Sequence, residues 1–355
     1  MHVLVVDDSA VVRTAVTQIL ATQGDVSVAT AADPLLALRK IETRRPDVIL
    51  LDLAMPNMDG LTFLKRLMAS DPIPVVVCSA LVGEGTQTAI RALEHGAVDV
   101  VAKPQLGVRD FLADSSGTLV ETLRAASSAR VGRIGPVGPI GPIGPPIRPI
   151  GPIRPIGPIP VTGTIIAAGA STGGTEAIRE FLERMPANTP PIAIVQHMPE
   201  GFTAAFARRL DALSAMEVRE ARDGEPFTQG LALIAPGDRH LLVRRRGGAY
   251  YAELSDGPPV SRHKPSVDVL FRSVAHAAGA HATGVIMTGM GDDGADGMVA
   301  LRQSGAFTLA QNEATCIVFG MPKEAIARGG IHSVLPLQRL ADAALAFTSA
   351  NRRDR

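Results

Sequence analysis

The chain has 355 residues, 46% hydrophobic and 20% charged, and its 35 basic and 35 acidic side chains cancel to zero net charge. That length suits two domains, and a neutral balance without a polybasic run disfavours nucleic acid or an anionic membrane surface as a partner. No apolar run approaches the roughly 20 residues of a membrane span. Met1 leads directly into HVLVV, with no sign of a secretory leader. The two cysteines, Cys78 and Cys316, suit a reducing compartment better than a disulfide scaffold. The expectation is a cytoplasmic, monomeric protein of two domains.

Over the first 125 residues apolar runs alternate with amphipathic ones. HVLVV (2–6) precedes a helix from Ala10 to Leu20, where Val11, Val12, Ala15, Val16, Ile19 and Leu20 recur at helical spacing. VSVAT (26–30), a helix over 33–43, DVILL (47–51), a helix from Leu61, PVVVC (74–78), a helix over 84–94 and VDVVA (98–102) complete the series. Such alternation predicts a parallel sheet with helices on both faces, an α/β unit.

Ligands of such sheets sit at the carboxyl ends of the strands. Asp7 and Asp8 follow the first strand, Asp52 the third, Ser79 the fourth and Lys103 the fifth. Clustered carboxylates repel unless a cation joins them, and hard oxygen ligands suit Mg²⁺. A phosphoryl group on Asp52 would find that cation, the Ser79 hydroxyl and the Lys103 ammonium placed to neutralise it. A single such aspartate is an ordinary turn residue; five polar residues at four strand ends argue for a site.

The motifs VVDDSAVVR, LLDLAMPNMDGLTFL, CSA and AKP make residues 1 to about 125 resemble the receiver domain of two-component response regulators. The resemblance implies a flavodoxin-like, five-stranded fold, Asp52 as phosphoacceptor, Mg²⁺ held by Asp7, Asp8, Asp52 and the Ala54 carbonyl, and Ser79 and Lys103 on the phosphate. Val100 stands where receivers often carry an aromatic switch residue.

Gly, Pro and Ile then dominate residues 131–160. Glycine keeps a period of three from Gly132 to Gly144, as in collagen, but Pro146 breaks the phase, and Arg148 and Arg154 fall where only glycine would fit. The segment reads as a semi-rigid, polyproline-like linker. It is assigned to 126–160, between domains at 1–125 and 161–350.

The apolar runs TIIAAG (164–169), PIAIVQ (191–196), LALIAPG (231–237), TGVIMTG (283–289) and AFTLAQ (306–311) predict a second, doubly wound α/β domain. After the first of them, GASTGGT lacks the lysine of a nucleotide phosphate loop. Gly169, Ser171 and Gly173 fit G-x-S-x-G, a tight strand-to-helix turn that exposes a serine. Ser171 or Thr172 is equally placed to cap a helix starting near Thr175.

A nucleophilic serine needs a base, and the base an orienting carboxylate. His197 ends PIAIVQ, and Asp292 and Asp293 lie in the loop TGMGDDGADG (288–297), so three loops of one sheet edge supply hydroxyl, imidazole and carboxylate. His240, after LALIAPG, is the rival base. An α/β-hydrolase order would nominate His332 with Asp268 or Asp293, yet His332 begins a strand-like run instead of ending one. His263, in SRHKPSVD, reads as a substrate-side or loop residue. Spacing leaves both Asp292 and Asp293 open, and a metal reading of DDGAD misses the spacing of a Ca²⁺ loop.

GASTGG, QHMPEGFTAAFARRL, APGDRHLLV, HKPSVDVLF, TGMGDDGADGM and QNEATCIVFGMPKEAI make residues 161 to about 348 resemble the catalytic domain of the CheB chemotaxis methylesterases. The resemblance implies a serine hydrolase that removes methyl groups from glutamyl methyl esters of methyl-accepting chemoreceptors and often deamidates receptor glutamines. It makes Ser171, His197 and Asp293 the catalytic residues, the family motif selecting the second aspartate. It also implies a CheA-type histidine kinase as phosphodonor and no cofactor for the ester chemistry. Backbone N–H groups near Thr172 or Met290 are candidate oxyanion donors. Asp238 and Asp292 depart from the family, which tends to have glycine and asparagine there. The competing readings are a phospho-switched adaptor without catalysis and a receiver fused to a DNA-binding output; zero net charge and the renewed α/β pattern disfavour the second.

Overall fold

A computed structural model describes residues 1–55, 58–79, 84–103, 116–132 and 163–353. Most of the proline-rich segment, and with it the linker expectation for 133–160, lies outside the described residues.

The N-terminal unit is a parallel sheet of β1 (His2–Val6), β2 (Ser27–Ala31), β3 (Val48–Asp52), β4 (Val75–Ser79) and β5 (Asp99–Ala102), in the order β2-β1-β3-β4-β5. Every residue of β3 and β4 is buried, which is why both read as unbroken Val/Ile/Leu runs: helices cover each face of the sheet. Side chains start the first three helices where the turn residues stand. Ser9 caps Ala10–Ala21, Asp33 caps Pro34–Thr43 and Asp59 caps Gly60–Ser70, each accepting from a backbone N–H in the first turn.

The C-terminal unit is a seven-stranded sheet, every neighbouring pair parallel, in the order β14-β13-β12-β6-β7-β9-β8. Its strands are β6 (Ile165–Ala170), β7 (Ile192–Gln196), β8 (Glu217–Glu220), β9 (Leu231–Ile234), β12 (Ala282–Ile286), β13 (Phe307–Gln311) and β14 (Ser333–Leu335). From β6 the chain winds one way through β7 and β9 and returns the other way through β12 and β13, so the switch point lies between β6 and β12. That is where an α/β sheet opens a crevice. The edge strand β8 and the antiparallel hairpin of β10 (His240–Arg246) and β11 (Ala249–Ser255) fall outside the expected strands, whereas β14 is the strand-like run that follows His332. Sequences such as EVRE carry no apolar run. The hairpin turns on Gly247 and Gly248, both at positive φ, and Val243 N–H ties it to Ser273 Oγ of the helix Val267–Ala278 (2.9 Å).

The two units pack against each other. Ile90 and Leu93, on the helix Glu84–Glu94, join one apolar cluster with Phe206 and Leu210, on the helix Thr203–Leu213. Glu94 pairs with Arg209 beside it, and Glu121 approaches Arg262 at 3.7 Å. The backbones also meet: Gly173 N–H donates to Val98 O (3.1 Å) and Arg130 N–H to Ile317 O (3.3 Å). Among the described residues no helix is long and apolar enough to cross a membrane.

Candidate active site

Ser171 follows β6 at the switch point. Its N–H donates to Thr288 O after β12 (3.0 Å), and Gly289 lies so close that a Cβ there would stand 2.8 Å from the Ser171 Cβ. The adjoining helix is Gly174–Glu183, and its N-cap is Gly173 at φ 75°, with no side-chain cap. Neither Ser171 nor Thr172 caps it, which removes the bland reading of this serine. Gly173 is required twice, by its left-handed backbone and by Ile317, whose Cβ would meet an added methyl at 2.5 Å.

His197 follows β7, the neighbour of β6, and its N–H donates to Ala170 O (3.1 Å). Its Nε2 lies 2.8 Å from Asp293 Oδ2. Asp293 is buried and also accepts from Ser266 Oγ (2.7 Å), Val267 N–H (2.7 Å) and Asp268 N–H (3.0 Å). These last three donors form the N-terminus of the helix Val267–Ala278, whose dipole favours an anion. Burial alone would push the Asp293 carboxyl up, but the His197 hydrogen bond and charge and the helix-end donors outweigh it and hold the group below the usual carboxylate range. An ionised acceptor on Nε2 fixes the proton there and leaves Nδ1 as the basic nitrogen. Nδ1 is buried and has no hydrogen-bond partner among the described residues. Ser171 and His197 line the same cavity of about 390 Å³, although no hydrogen bond joins them among the described residues. Catalytic bonds of this kind are often long before substrate binds.

The neighbouring Asp292 turns outward to Arg328 (2.6 Å), so the structure separates the two aspartates that spacing left equivalent. The rival histidines are engaged elsewhere. His240 uses Nε2 on Pro258 O (3.0 Å) and Nδ1 on Ser266 N–H (3.1 Å), while His332 bonds Thr308 at the far end of β13. Thr172 and Met290 both line the cavity, and neither backbone N–H donates a hydrogen bond among the described residues.

Two contributors escaped the sequence reading, and a third was noticed without its contact. Gln196 Nε2 donates to both Ser171 O (2.9 Å) and His197 O (3.0 Å), bridging the two loops. Ser266 caps its helix and holds Asp293 with the same hydroxyl; SVDVLF does announce a capped apolar helix, but not the second bond. His263, read as a substrate-side or loop residue, lines the same cavity and stacks on His197.

The remaining wall of the cavity belongs to the N-terminal unit: Asp99–Ala102, Leu119, Glu121, Thr122 and Ala125. The Asp99 carboxylate accepts from Val100 N–H (2.8 Å), and burial raises its pKa from 3.8 to about 6.

At the other end of β5, Asp7, Asp8 and Asp52 bring a carboxylate oxygen each to within 4.8 Å of one another. Lys103 Nζ reaches Asp52 Oδ2 at 2.7 Å and Asp7 Oδ2 at 3.0 Å. Asp7 is buried, with the Lys103 ammonium as the partner of its Oδ2, and burial raises its pKa despite Lys103. Ala54 N–H donates to Asp52 Oδ1 (3.1 Å). Ser79 Oγ does not meet Asp52 in this arrangement; it donates to Gly85 O (3.0 Å).

The sequence model described as CheB methylesterase matches residues 166–344, and that of the response regulator receiver domain matches residues 3–111. The chain is 57% identical to protein-glutamate methylesterase/protein-glutamine glutaminase 1 of Anaeromyxobacter dehalogenans, over 98% of this chain and 99% of that protein. It is 54% identical to a protein of the same description, numbered 3, from Geobacter metallireducens, over 96% of this chain and 97% of that one. The crystal structure of the Thermotoga maritima CheB methylesterase catalytic domain is 37% identical with a TM-score of 0.51, covering 52% of this chain and 99% of that one. With the receiver in front and the Ser171 crevice behind it, the chain belongs to the CheB methylesterase family.

Proposed function

We propose that this protein is a phosphorylation-regulated protein-glutamate methylesterase that also deamidates glutamine side chains, with Ser171, His197 and Asp293 as its catalytic residues and chemoreceptors as its substrates in the cytoplasm. The observation that carries the reading is the His197–Asp293 pair on the same cavity as Ser171, at the switch point, with Nδ1 unpartnered among the described residues.

Ser171 Oγ attacks the ester carbonyl while His197 Nδ1 takes its proton. The tetrahedral intermediate expels methoxide, which leaves as methanol with that proton, and a glutamyl ester on Ser171 remains. Water, deprotonated by His197, then hydrolyses this acyl-enzyme and frees the glutamate carboxylate and the Ser171 hydroxyl. Asp293 stabilises the imidazolium of each half-reaction. The unused Thr172 and Met290 N–H groups support an oxyanion hole, where one donor is worth about 3 kcal/mol. For a glutamine substrate the leaving group is ammonia.

Asp52 is the phosphoacceptor, and a histidine kinase the phosphodonor. Asp7, Asp8, Asp52 and the Ala54 carbonyl fit Mg²⁺: three hard carboxylate ligands converge within 4.8 Å of one another, two of them on buried residues. The ion would supply positive charge against the phosphoryl oxygens. Lys103, on Asp52 Oδ2 at 2.7 Å, would add positive charge from the protein side, and Ser79 would have to turn from Gly85 to join it. β5 links the two sites, because Lys103 follows it while Asp99–Ala102 wall the catalytic cavity. Phosphorylation that draws on Lys103 therefore pulls at the strand covering Ser171 and shifts the population towards an undocked receiver. The division into receiver, linker and catalytic domain at 1–125, 126–160 and 161–350 belongs to this reading.

The test is Ser171→Ala in a methanol-release assay with methylated receptor. Turnover should fall by about 10⁶-fold, the scale set by removing a serine nucleophile; retained turnover in a folded variant rejects the triad. Fluorophosphonate labelling with and without a small phosphodonor tests the regulation. Equal rates with Asp52 phosphorylated reject gating by the receiver.

A further inference from the structure

His197 is the moving part of the proposed triad, and one hydrogen bond does not fix a ring. The Nε2–Asp293 contact sets where one edge of the imidazole lies, but the ring can still tip about that contact. Nδ1, the nitrogen that must face Ser171, has no partner among the described residues to stop it. What bears on the ring plane is His263. The two imidazoles lie 3.8 Å apart between centroids and within 5° of parallel, a full face-to-face contact.

His263 is itself held firmly. His263 and Val260 exchange backbone hydrogen bonds of 2.9 and 3.0 Å. Between them Ser261 and Arg262 sit at φ 50° and 68°, a conformation non-glycine residues keep only where the surroundings impose it. The Nδ1 of His263 lies 2.7 Å from Ser261 O, so it carries the proton and donates. Three residues on, Ser266 binds Asp293. One short stretch, 261–266, thus touches both members of the His197–Asp293 pair.

We propose that His263 is a positioning residue for the esterase reaction: its neutral ring is the platform that fixes the plane of His197, so that Nε2 stays on Asp293 while Nδ1 stays turned to Ser171. This rests on the triad reading above. A platform must not become a second cation beside the imidazolium that forms in each half-reaction. Burial, with the charge of His197 in second place, lowers the His263 pKa to about 4, so its ring stays neutral where the esterase works. The convergence of His197, His263 and Asp293 also raises a metal site. The stacking argues against it: ring-nitrogen lone pairs lie in the ring planes, and two parallel planes cannot both contain one ion. Direct proton transfer by His263 is the remaining alternative.

The experiment uses the full-length protein with a small phosphodonor present and compares wild type, His263→Ala and His263→Phe. It reads kcat and KM for methanol release, the fluorophosphonate labelling rate, and the ¹⁵N NMR signals of the His197 ring. His263→Ala should lower kcat and labelling by about 10- to 100-fold, the scale of a misplaced catalytic group, with KM changed less than about twofold. His263→Phe, which restores a flat face but no ring nitrogen, should recover most of the loss. The His197 ¹⁵N pattern should show one Nε2-protonated tautomer in wild type and the Phe variant, and a tautomer mixture in the Ala variant. Wild-type labelling of His263→Ala overturns the proposal, as does an equal loss in both variants, which would assign the effect to a His263 nitrogen. Labelling of wild type at a serine other than Ser171 instead rejects the triad itself.

Discussion

The loop carrying Asp293 and the strand carrying Asp99 wall one cavity from opposite sides, and their carboxylates are shifted in opposite directions. Both lose water. Asp293 accepts four hydrogen bonds, from His197, Ser266 and the N–H groups of Val267 and Asp268, and stays ionised. Against the cost of burial Asp99 has, among the described residues, its neighbour's N–H (Val100, 2.8 Å), and its pKa rises to about 6. The difference separates a charge built into the fold from one tolerated at the contact that the proposed switch would break. A buried anion with a full shell of donors is permanent machinery; one with a partial shell is a source of strain across the receiver interface.

Removing the Asp293 charge should have the largest effect. Asp293→Asn keeps the shape but not the acceptor that fixes Nε2–H. Methanol release should fall by about 10⁴-fold, as for the matching change in an unrelated serine-protease triad. A loss under tenfold would mean that the helix N-terminus, not the carboxylate, orients His197. Next in size is the apolar half of the interface. Leu93, 7% exposed, packs in the cluster that holds Phe206 and Leu210. Leu93→Ala should cost docking about 2 kcal/mol, or up to roughly 30-fold in unphosphorylated labelling of Ser171. Unchanged labelling, with an unchanged melt, would show that the helix contact does not hold the receiver down.

Asp99 provides the third test, and its sign runs against intuition. The docked pKa of about 6 exceeds the ordinary 3.8, so docking takes up a proton. The penalty for burying the charge is complete above about 6 and fades as pH falls towards 3.8. Asp99→Asn removes that penalty. At pH 7 it should dock the receiver more tightly and lower unphosphorylated labelling by about tenfold, with roughly 100-fold the ceiling for a two-unit shift. The ratio of wild-type to variant rates should shrink as pH is lowered to 5, and the titration of His197 cancels in that ratio. The other charged or titratable groups on the cavity, His197, His263, Arg262, Lys264 and Glu121, are common to both proteins. Faster labelling of the variant at pH 7 would show that Asp99 latches the interface instead of straining it.

The same contrast explains what could be read from the sequence. β3, β4, β6 and β7 are buried along their whole lengths, so their apolar runs announced them, and Ser171 and His197 followed as the residues at two adjacent strand ends. β8 and the β10-β11 hairpin pack on one side or at an edge, and polar alternation hid them. Asp293 was not separable from Asp292 by spacing because a one-residue choice in a glycine-rich loop is made by distant partners: Ser266 and the helix behind it for one, Arg328 for the other. A receiver lying over the Ser171 cleft could be expected from one switch and one hydrolase on one chain, but the contacts that dock it were not legible, for the same reason. Gly173 N–H on Val98 O joins residues 75 positions apart, and Arg130 N–H on Ile317 O residues still further apart; no local pattern records them.

Asp292 gives the smallest expected effect and the sharpest control. It neighbours Asp293 in the chain but lies 43% exposed, paired with Arg328, which keeps Asp296 at 2.6 Å whatever happens to Asp292. Exposed pairs of this kind are worth about 0–1 kcal/mol, and the remaining partner preserves the anchor. Asp292→Asn should therefore leave methanol release within about twofold of wild type, with the same pH profile and an unchanged melt. A drop approaching that of Asp293→Asn would mean that the outward pair sets the aim of the whole loop. The four donors on Asp293 would then not suffice to place it, and the line between built-in and tolerated charge would have to be drawn through Arg328 as well.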